Sequence, residues 1–260
     1  MFLPSRLLIL TMNFEDKPLI GVVHLKPLPG APKYSGSIKE IIDDGIRKAK
    51  VYEEAGFDGV IIENFGDVPY GKELSKETLA SFAVVAKAIK DSISIPLGIN
   101  ALRNDCISAY SIAYAIGGNF IRVNVLTGVA FTDQGIIEGC ARELAMLKVR
   151  LPGKIEVLAD VHVKHAVHFS RFEDAIKDTI ERGMADAIII TGSRTGEPPG
   201  IEEVKRAKEI SSVPVIVGSG VNDRNIKKFL KYADGIIVGT WVEGNLERAK
   251  KLVKLKKEVI

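Results

Sequence analysis

The amino-acid sequence predicts an α/β fold, a single (β/α)8 barrel of the phosphate-binding type. Three observations lead there. The chain has 260 residues, about what one such barrel needs. Short apolar runs alternate strictly with amphipathic stretches, the pattern of a parallel sheet wrapped by helices. The last two strand candidates both run into glycine and a hydroxyl, Gly218-Ser219-Gly220 and Gly239-Thr240, where barrels of this kind often hold phosphate.

Taken in order, the predicted strands are Leu19–His24, Gly59–Glu63, Leu97–Asn100, 120–125, 155–161, Ala187–Thr191, Val215–Gly218 and 235–239. The predicted helices are Ile38–Ala55, 76–90, 105–116, 135–150, 172–182, Ile201–Ile210, 222–230 and Leu246–Lys257. Nearly all-apolar strands such as Ala187-Ile188-Ile189-Ile190 fit a sheet covered on both faces. An internal repeat supports closure. Phe57-Asp58-Gly59, Ala185-Asp186-Ala187 and Ala233-Asp234-Gly235 open strands 2, 6 and 8, and Gly118-Asn119-Phe120 opens strand 4. Strands 1, 3 and 7 open instead on Pro18, Pro96 and Pro214, where proline removes no needed ladder bond. A motif that distinguishes odd from even strands implies four (βα)2 quarters. The aspartates lie at the end opposite the active face and are expected to anchor turns. A doubly wound open sheet would need a G-x-G-x-x-G turn after strand 1, and Gly21-Val22-Val23-His24-Leu25 supplies none.

Residues 1–16 read as a leader and 17–260 as the barrel; the opening apolar stretch is too short for a secretory signal and lacks a small-residue cleavage site. Composition is ordinary for a globular protein, 46% hydrophobic and 27% charged. A net charge of +3 with no dense basic block gives no reason to expect nucleic acid. No apolar run is long enough for a membrane span. Cys106 and Cys140 form no C-x-x-C pair, so neither a zinc knuckle nor a disulfide framework is expected, and a reducing cytoplasm is the simplest location.

The strand-to-helix links are long and rich in Gly and Pro, and this end of a barrel builds active sites. All four histidines fall there: His24 after strand 1, and His162, His165 and His168 after strand 5. Asp160, His162 and Lys164 share parity, so an extended strand would aim all three into the lumen. Such a set suits general acid–base work, or metal binding if carboxylates join it. Glu63, at the end of strand 2, is costly to bury unpaired and is a candidate base or ligand; its alternative is an ion pair with Arg122. Asp160 has the corresponding structural alternative, pairing with Arg122 or Lys164. Asn100, Asn124 and Arg122 are candidates for positioning a substrate. Gly218, Ser219, Gly220, Gly239, Thr240, Gly192 and Ser193 are candidates for holding its phosphate, with Arg194 as a supplement.

The run Gly21-Val22-Val23-His24-Leu25-Lys26-Pro27-Leu28-Pro29-Gly30-Ala31-Pro32 resembles the BtpA family, also described as BtpA/SgcQ-like. Asp160-Val161-His162-Val163-Lys164-His165, Thr191-Gly192-Ser193-Arg194-Thr195-Gly196 and Val217-Gly218-Ser219-Gly220-Val221 extend the resemblance from Lys17 to the last helix. It implies a TIM barrel and a family named for a cyanobacterial factor of photosystem I biogenesis; it implies no particular reaction.

The expected function is enzymatic, on a small phosphorylated metabolite such as a sugar phosphate or nucleotide-derived compound. Asp160 and His162 would transfer protons, with Glu63 and His24 as partners or as ligands of a divalent metal. Lys164 is a candidate electrophile or Schiff-base amine. The alternative is a non-catalytic assembly factor, which would carry an exposed apolar patch that the sequence does not make obvious. A homo-oligomer is compatible with either.

Overall fold

The computed structural model describes residues 12–260. Eight parallel strands close a barrel in the order β1 (Leu19–His24), β2 (Gly59–Glu63), β3 (Leu97–Asn100), β4 (Phe120–Val123), β7 (Glu156–Val161), β9 (Ala187–Thr191), β10 (Val215–Gly218) and β11 (Gly235–Val238), with β11 pairing back to β1. Helices α1 (Ile38–Ala55), α2 (Lys76–Ser92), α3 (Cys106–Ile116), α4 (Ala141–Arg150), α5 (Phe172–Lys177), α6 (Ile201–Ile210), α7 (Ile226–Leu230) and α8 (Leu246–Lys257) follow the barrel strands.

The quarter repeat has a physical basis at the barrel floor. The carboxylates of Asp58, Asp186 and Asp234 accept from the N–H groups of Leu19, Val157 and Val215, each at 2.8 Å. The side-chain oxygen of Asn119 does the same for Leu97 at 3.0 Å. In return, the N–H of each clasping residue donates to the carbonyl of the residue it holds. An unpaired N–H at a strand start is thus satisfied by the neighbouring strand's entry residue, and the two strands are held in register. Pro18, Pro96 and Pro214 directly precede three of the clasped residues, so the clasped N–H is the first on its strand.

Inside the barrel, Ile20, Val22, Ile61, Phe120, Leu158, Ala187, Ile189, Ile216 and Ile237 form one apolar cluster, with Met12 and Phe14 packed at its lower end. Residues 1–11, the rest of the expected leader, lie outside the described residues. Phe120 crosses the lumen over Gly98, where any Cβ would fall 2.1 Å from its ring. A second, larger core fills the space between strands and helices.

Three expectations are corrected. The stretch 135–150 is not one helix: Gly135–Glu138 is strand β6, paired antiparallel with β5 (Val129–Thr132), and α4 begins only at Ala141. Asp133-Gln134 makes a two-residue turn, so the Ile136-Ile137 pair belongs to a hairpin. A short strand, β8 (Ala166–Val167), completes this small sheet beside β5. The stretch 222–230 is helical only from Ile226, because Asn222 and Asn225 are spent on turn hydrogen bonds ahead of it. The third concerns the cysteines: Cys106 and Cys140, 34 residues apart, are joined in a disulfide between the starts of α3 and α4. Spacing along the chain concealed that these two helix starts are neighbours in the ring.

Candidate functional site

Strand alternation builds the site. Directly above the apolar layer, the next inward positions carry His24 on β1, Glu63 on β2, Asn100 on β3, Arg122 on β4 and Asp160 on β7. In-register pairing sets His24 beside Glu63 and Glu63 beside Asn100. Arg122 is the hub. Its Nε and Nη2 lie 3.1–3.3 Å from both oxygens of Asp160, and its Nη1 donates to Glu63 Oε1 at 3.0 Å. Asn100 donates to the same Glu63 oxygen at 3.0 Å, and Asn124 donates to Asp160 Oδ2 at 2.6 Å. The buried Asn124 Oδ1 has no partner among the described residues. Both carboxylates thus take the structural alternative of pairing with Arg122.

One cation between two anions settles the charges. Burial pushes the Glu63 carboxyl up, but Arg122, followed by His24 and Lys164, outweighs it and holds the group below the usual carboxylate range. Burial also opposes the Arg122 charge, and Asp160 and Glu63 more than restore it. Lys164 is held below the usual lysine value by burial and then by Arg122, against smaller pulls from Glu63 and Asp160.

His24 Nδ1 lies 2.9 Å from Glu243 Oε2, Nε2 lies 4.0 Å from Glu63 Oε2, and Phe65 packs 4.4 Å from its ring centre. Its bond to Glu243, ahead of any other effect, lowers the Glu243 carboxyl. Lys48 closes this chain 3.5 Å from Glu243 Oε1.

Parity fails at His162. Strand β7 ends at Val161, and His162 takes a left-handed φ of 51°. Its ring therefore turns out of the lumen to stack on His168, 4.6 Å away, with Nε2 3.0 Å from Ser170 Oγ. Lys164 does return to the mouth. His165 stands at its edge, where Nε2 accepts from the N–H of Thr195 at 3.1 Å.

Two adjoining cavities open at this end. One, of about 290 Å³, is lined by His24, Glu63, Arg122 and Lys164 on one side and by Ser219, Gly220, Asn222, Gly239, Thr240 and Arg248 on the other. The second, of about 420 Å³, shares Glu63, Arg122, Lys164 and Thr195 and adds Phe65, Tyr70, Asn100, Arg103 and Asn124. Ser219, Gly220, Gly239 and Thr240 thus face the same space as the titratable groups.

The other anticipated phosphate ligands do not line it. Gly218 packs under Ile189, Gly192 lies against the Glu197–Pro198 backbone, and Ser193 donates to Glu197 Oε2 at 2.6 Å. Sequence reasoning missed Arg103, Glu243 and Arg248. Arg248 sits in the first turn of α8 and donates to the Trp241 carbonyl at 2.9 Å, so a cation following the glycine turn after β11 was its available signal. Arg103 follows β3 in a loop with no such mark.

The donor set does not suit a divalent metal. Arg122 already stands between Glu63 and Asp160, where a cation would have to sit. Among the described residues no group of three or more His, Cys, Asp or Glu is gathered for one.

The family model described as the BtpA family matches residues 15–258. The chain belongs to the BtpA family. One BtpA-family relative, the photosystem I biogenesis protein BtpA of Synechocystis, is 41% identical over 89% of this chain and 83% of its own length. An uncharacterized protein of Pyrococcus furiosus is 64% identical over 96% of this chain and 98% of its own. Thiamine phosphate pyrophosphorylase from Pyrococcus furiosus superposes with a TM-score of 0.61 at 13% identity, covering 95% of this chain and 98% of that one, a likeness of fold alone. The BtpA-family barrel described here has no helix, among the described residues, long and apolar enough to cross a membrane.

Proposed function

We propose that this barrel is an enzyme acting on a small phosphorylated metabolite. The phosphate lies against Ser219, Gly220, Gly239, Thr240 and Arg248, and the rest of the molecule reaches past Lys164 into the second cavity. The observation that carries this reading is the single 290 Å³ space with glycines and hydroxyls on one wall and His24, Glu63, Arg122 and Lys164 on the other. His24 is the proton-transfer group, oriented by Glu243 and backed by Glu63. Asp160 and Asn124 position Arg122, and His162 lies outside the reacting layer. Dispersal of the residual anion charge falls to Arg248, whose guanidinium suits phosphate oxygens.

Thermal unfolding in inorganic phosphate, against chloride at matched ionic strength, tests the cradle. A native-state ligand at about 100 times its Kd stabilises by about 2.7 kcal/mol. The rise should shrink in Thr240→Val. No rise in the parent protein sinks the reading.

A second reading is favoured by one surface. Ile136, Phe131 and Val167 lie side by side across β6, β5 and β8, all exposed, and Phe169 packs edge-on against Phe131. This exterior apolar patch was not obvious in the sequence. It suits a protein-assembly role of the kind named for the Synechocystis relative. Phe131→Ser would abolish self- or partner association in sedimentation while leaving phosphate stabilisation intact.

A further inference from the structure

The Lys164 ammonium would be poorly provided for. It forms no hydrogen bond or ion pair among the described residues, although it lies in the wall common to both cavities. The carboxylates nearest in charge are already engaged. Glu63 Oε1 accepts from Arg122 and Asn100, and both Asp160 oxygens accept from Arg122, with Asn124 added at one. The main chain around Lys164 is pinned at the same time. Its carbonyl accepts from Arg103 Nη2 at 2.6 Å, and the N–H of His165 donates to the Ser193 carbonyl at 3.0 Å. An amine carried on a pinned stretch of main chain, with no ion pair among the described residues, between a phosphate cradle and an adjoining pocket, is arranged for nucleophilic addition.

We propose that Lys164 forms an imine with the carbonyl carbon of a phosphorylated aldehyde or ketone, an inference that rests on the phosphate reading of the cradle. The neutral amine lone pair forms the C–N bond as the C=O π pair moves to oxygen. That oxygen takes one proton from the nitrogen and, as C–O breaks, a second through His24, leaving as water. The nitrogen closes the C=N bond and gives its second proton to His24, replacing the one His24 passed to oxygen. Amine and carbonyl go to imine and water, and no oxidant or reductant takes part. Burial and Arg122, which both disfavour the ammonium, work in the same direction.

The test treats the protein with dihydroxyacetone phosphate or glyceraldehyde 3-phosphate and borohydride, then maps the adduct by mass spectrometry. One reduced adduct is expected on the peptide carrying Lys164, absent in Lys164→Arg and Lys164→Met. Dihydroxyacetone, which lacks the phosphate, should give about tenfold less. Equal labelling by both would leave the imine standing and remove the phosphate reading. Stabilisation by dihydroxyacetone phosphate with no adduct at residue 164 would keep the phosphate reading and overturn the imine. A second measurement does not depend on the carbonyl compound. In competitive trace acetylation across pH, Lys164 should become reactive at lower pH than the exposed Lys33; labelling in step with Lys33 overturns the proposal.

Discussion

The Arg122 guanidinium lies fork-on-fork against the Asp160 carboxylate, 3.1–3.3 Å at every contact, with both side chains buried inside the barrel. Removing the cation leaves two carboxylates without compensation. Arg122→Met should therefore destabilise by about 3–5 kcal/mol, typical of breaking a buried pair from one side. Arg122→Met combined with Glu63→Gln and Asp160→Asn should recover much of that loss. Chemical denaturation of the variants decides; a single variant as stable as the parent would contradict the hub.

Acid stability follows from Glu63. Its folded carboxyl titrates below its unfolded value, so the stabilisation is present above about pH 4.3 and disappears as pH falls through the folded value. Unfolding free energy measured from neutral to acid pH should fall less steeply in Glu63→Gln than in the parent. Parallel curves would mean that Glu63 is not held ionised by Arg122.

Arg248→Ala should weaken phosphate binding about tenfold or more, since a charge-assisted hydrogen bond contributes roughly 1.5–3 kcal/mol. Titration calorimetry with inorganic phosphate reads this directly. Unchanged affinity would move the anion away from α8.

His162→Ala should leave phosphate stabilisation untouched, because that ring stacks on His168 outside both cavities. His24→Ala should retain phosphate binding while abolishing turnover once a substrate is in hand. An equal loss of phosphate stabilisation in both variants would contradict the layer as described.

At the floor, Asp234→Ala should cost about 1–3 kcal/mol by stranding the Val215 N–H. Asp186→Ala should behave alike at Val157. Melting temperatures of the two variants provide the comparison, and silent substitutions would remove the clasps from the stability of the barrel.

Strand order, closure and most element bounds were legible because period-2 and period-3.6 patterns report burial directly. Glu63, Asn100, Arg122 and Asp160 were legible for the same reason: each is the last inward position of its strand. His162 was not, since parity holds only while the backbone stays extended, and one left-handed residue ended it. The β5–β6 hairpin was missed because Ile136-Ile137 satisfies a helical pattern and a strand pattern equally. Arg103, Glu243 and Arg248 arrive from loops and a helix start, and their meeting with the strand ends is a long-range event that local pattern does not carry. The Cys106–Cys140 link belongs to the same class.

The clasps of Asp58, Asp186 and Asp234, with Asn119 in the fourth place, divide the molecule's obligations between its two ends. At the bottom one repeated device fixes the register of four strand pairs, whereas the loops at the top differ in length and sequence. Chemistry can thus be rewritten at the rim, loop by loop, without renegotiating the foundations.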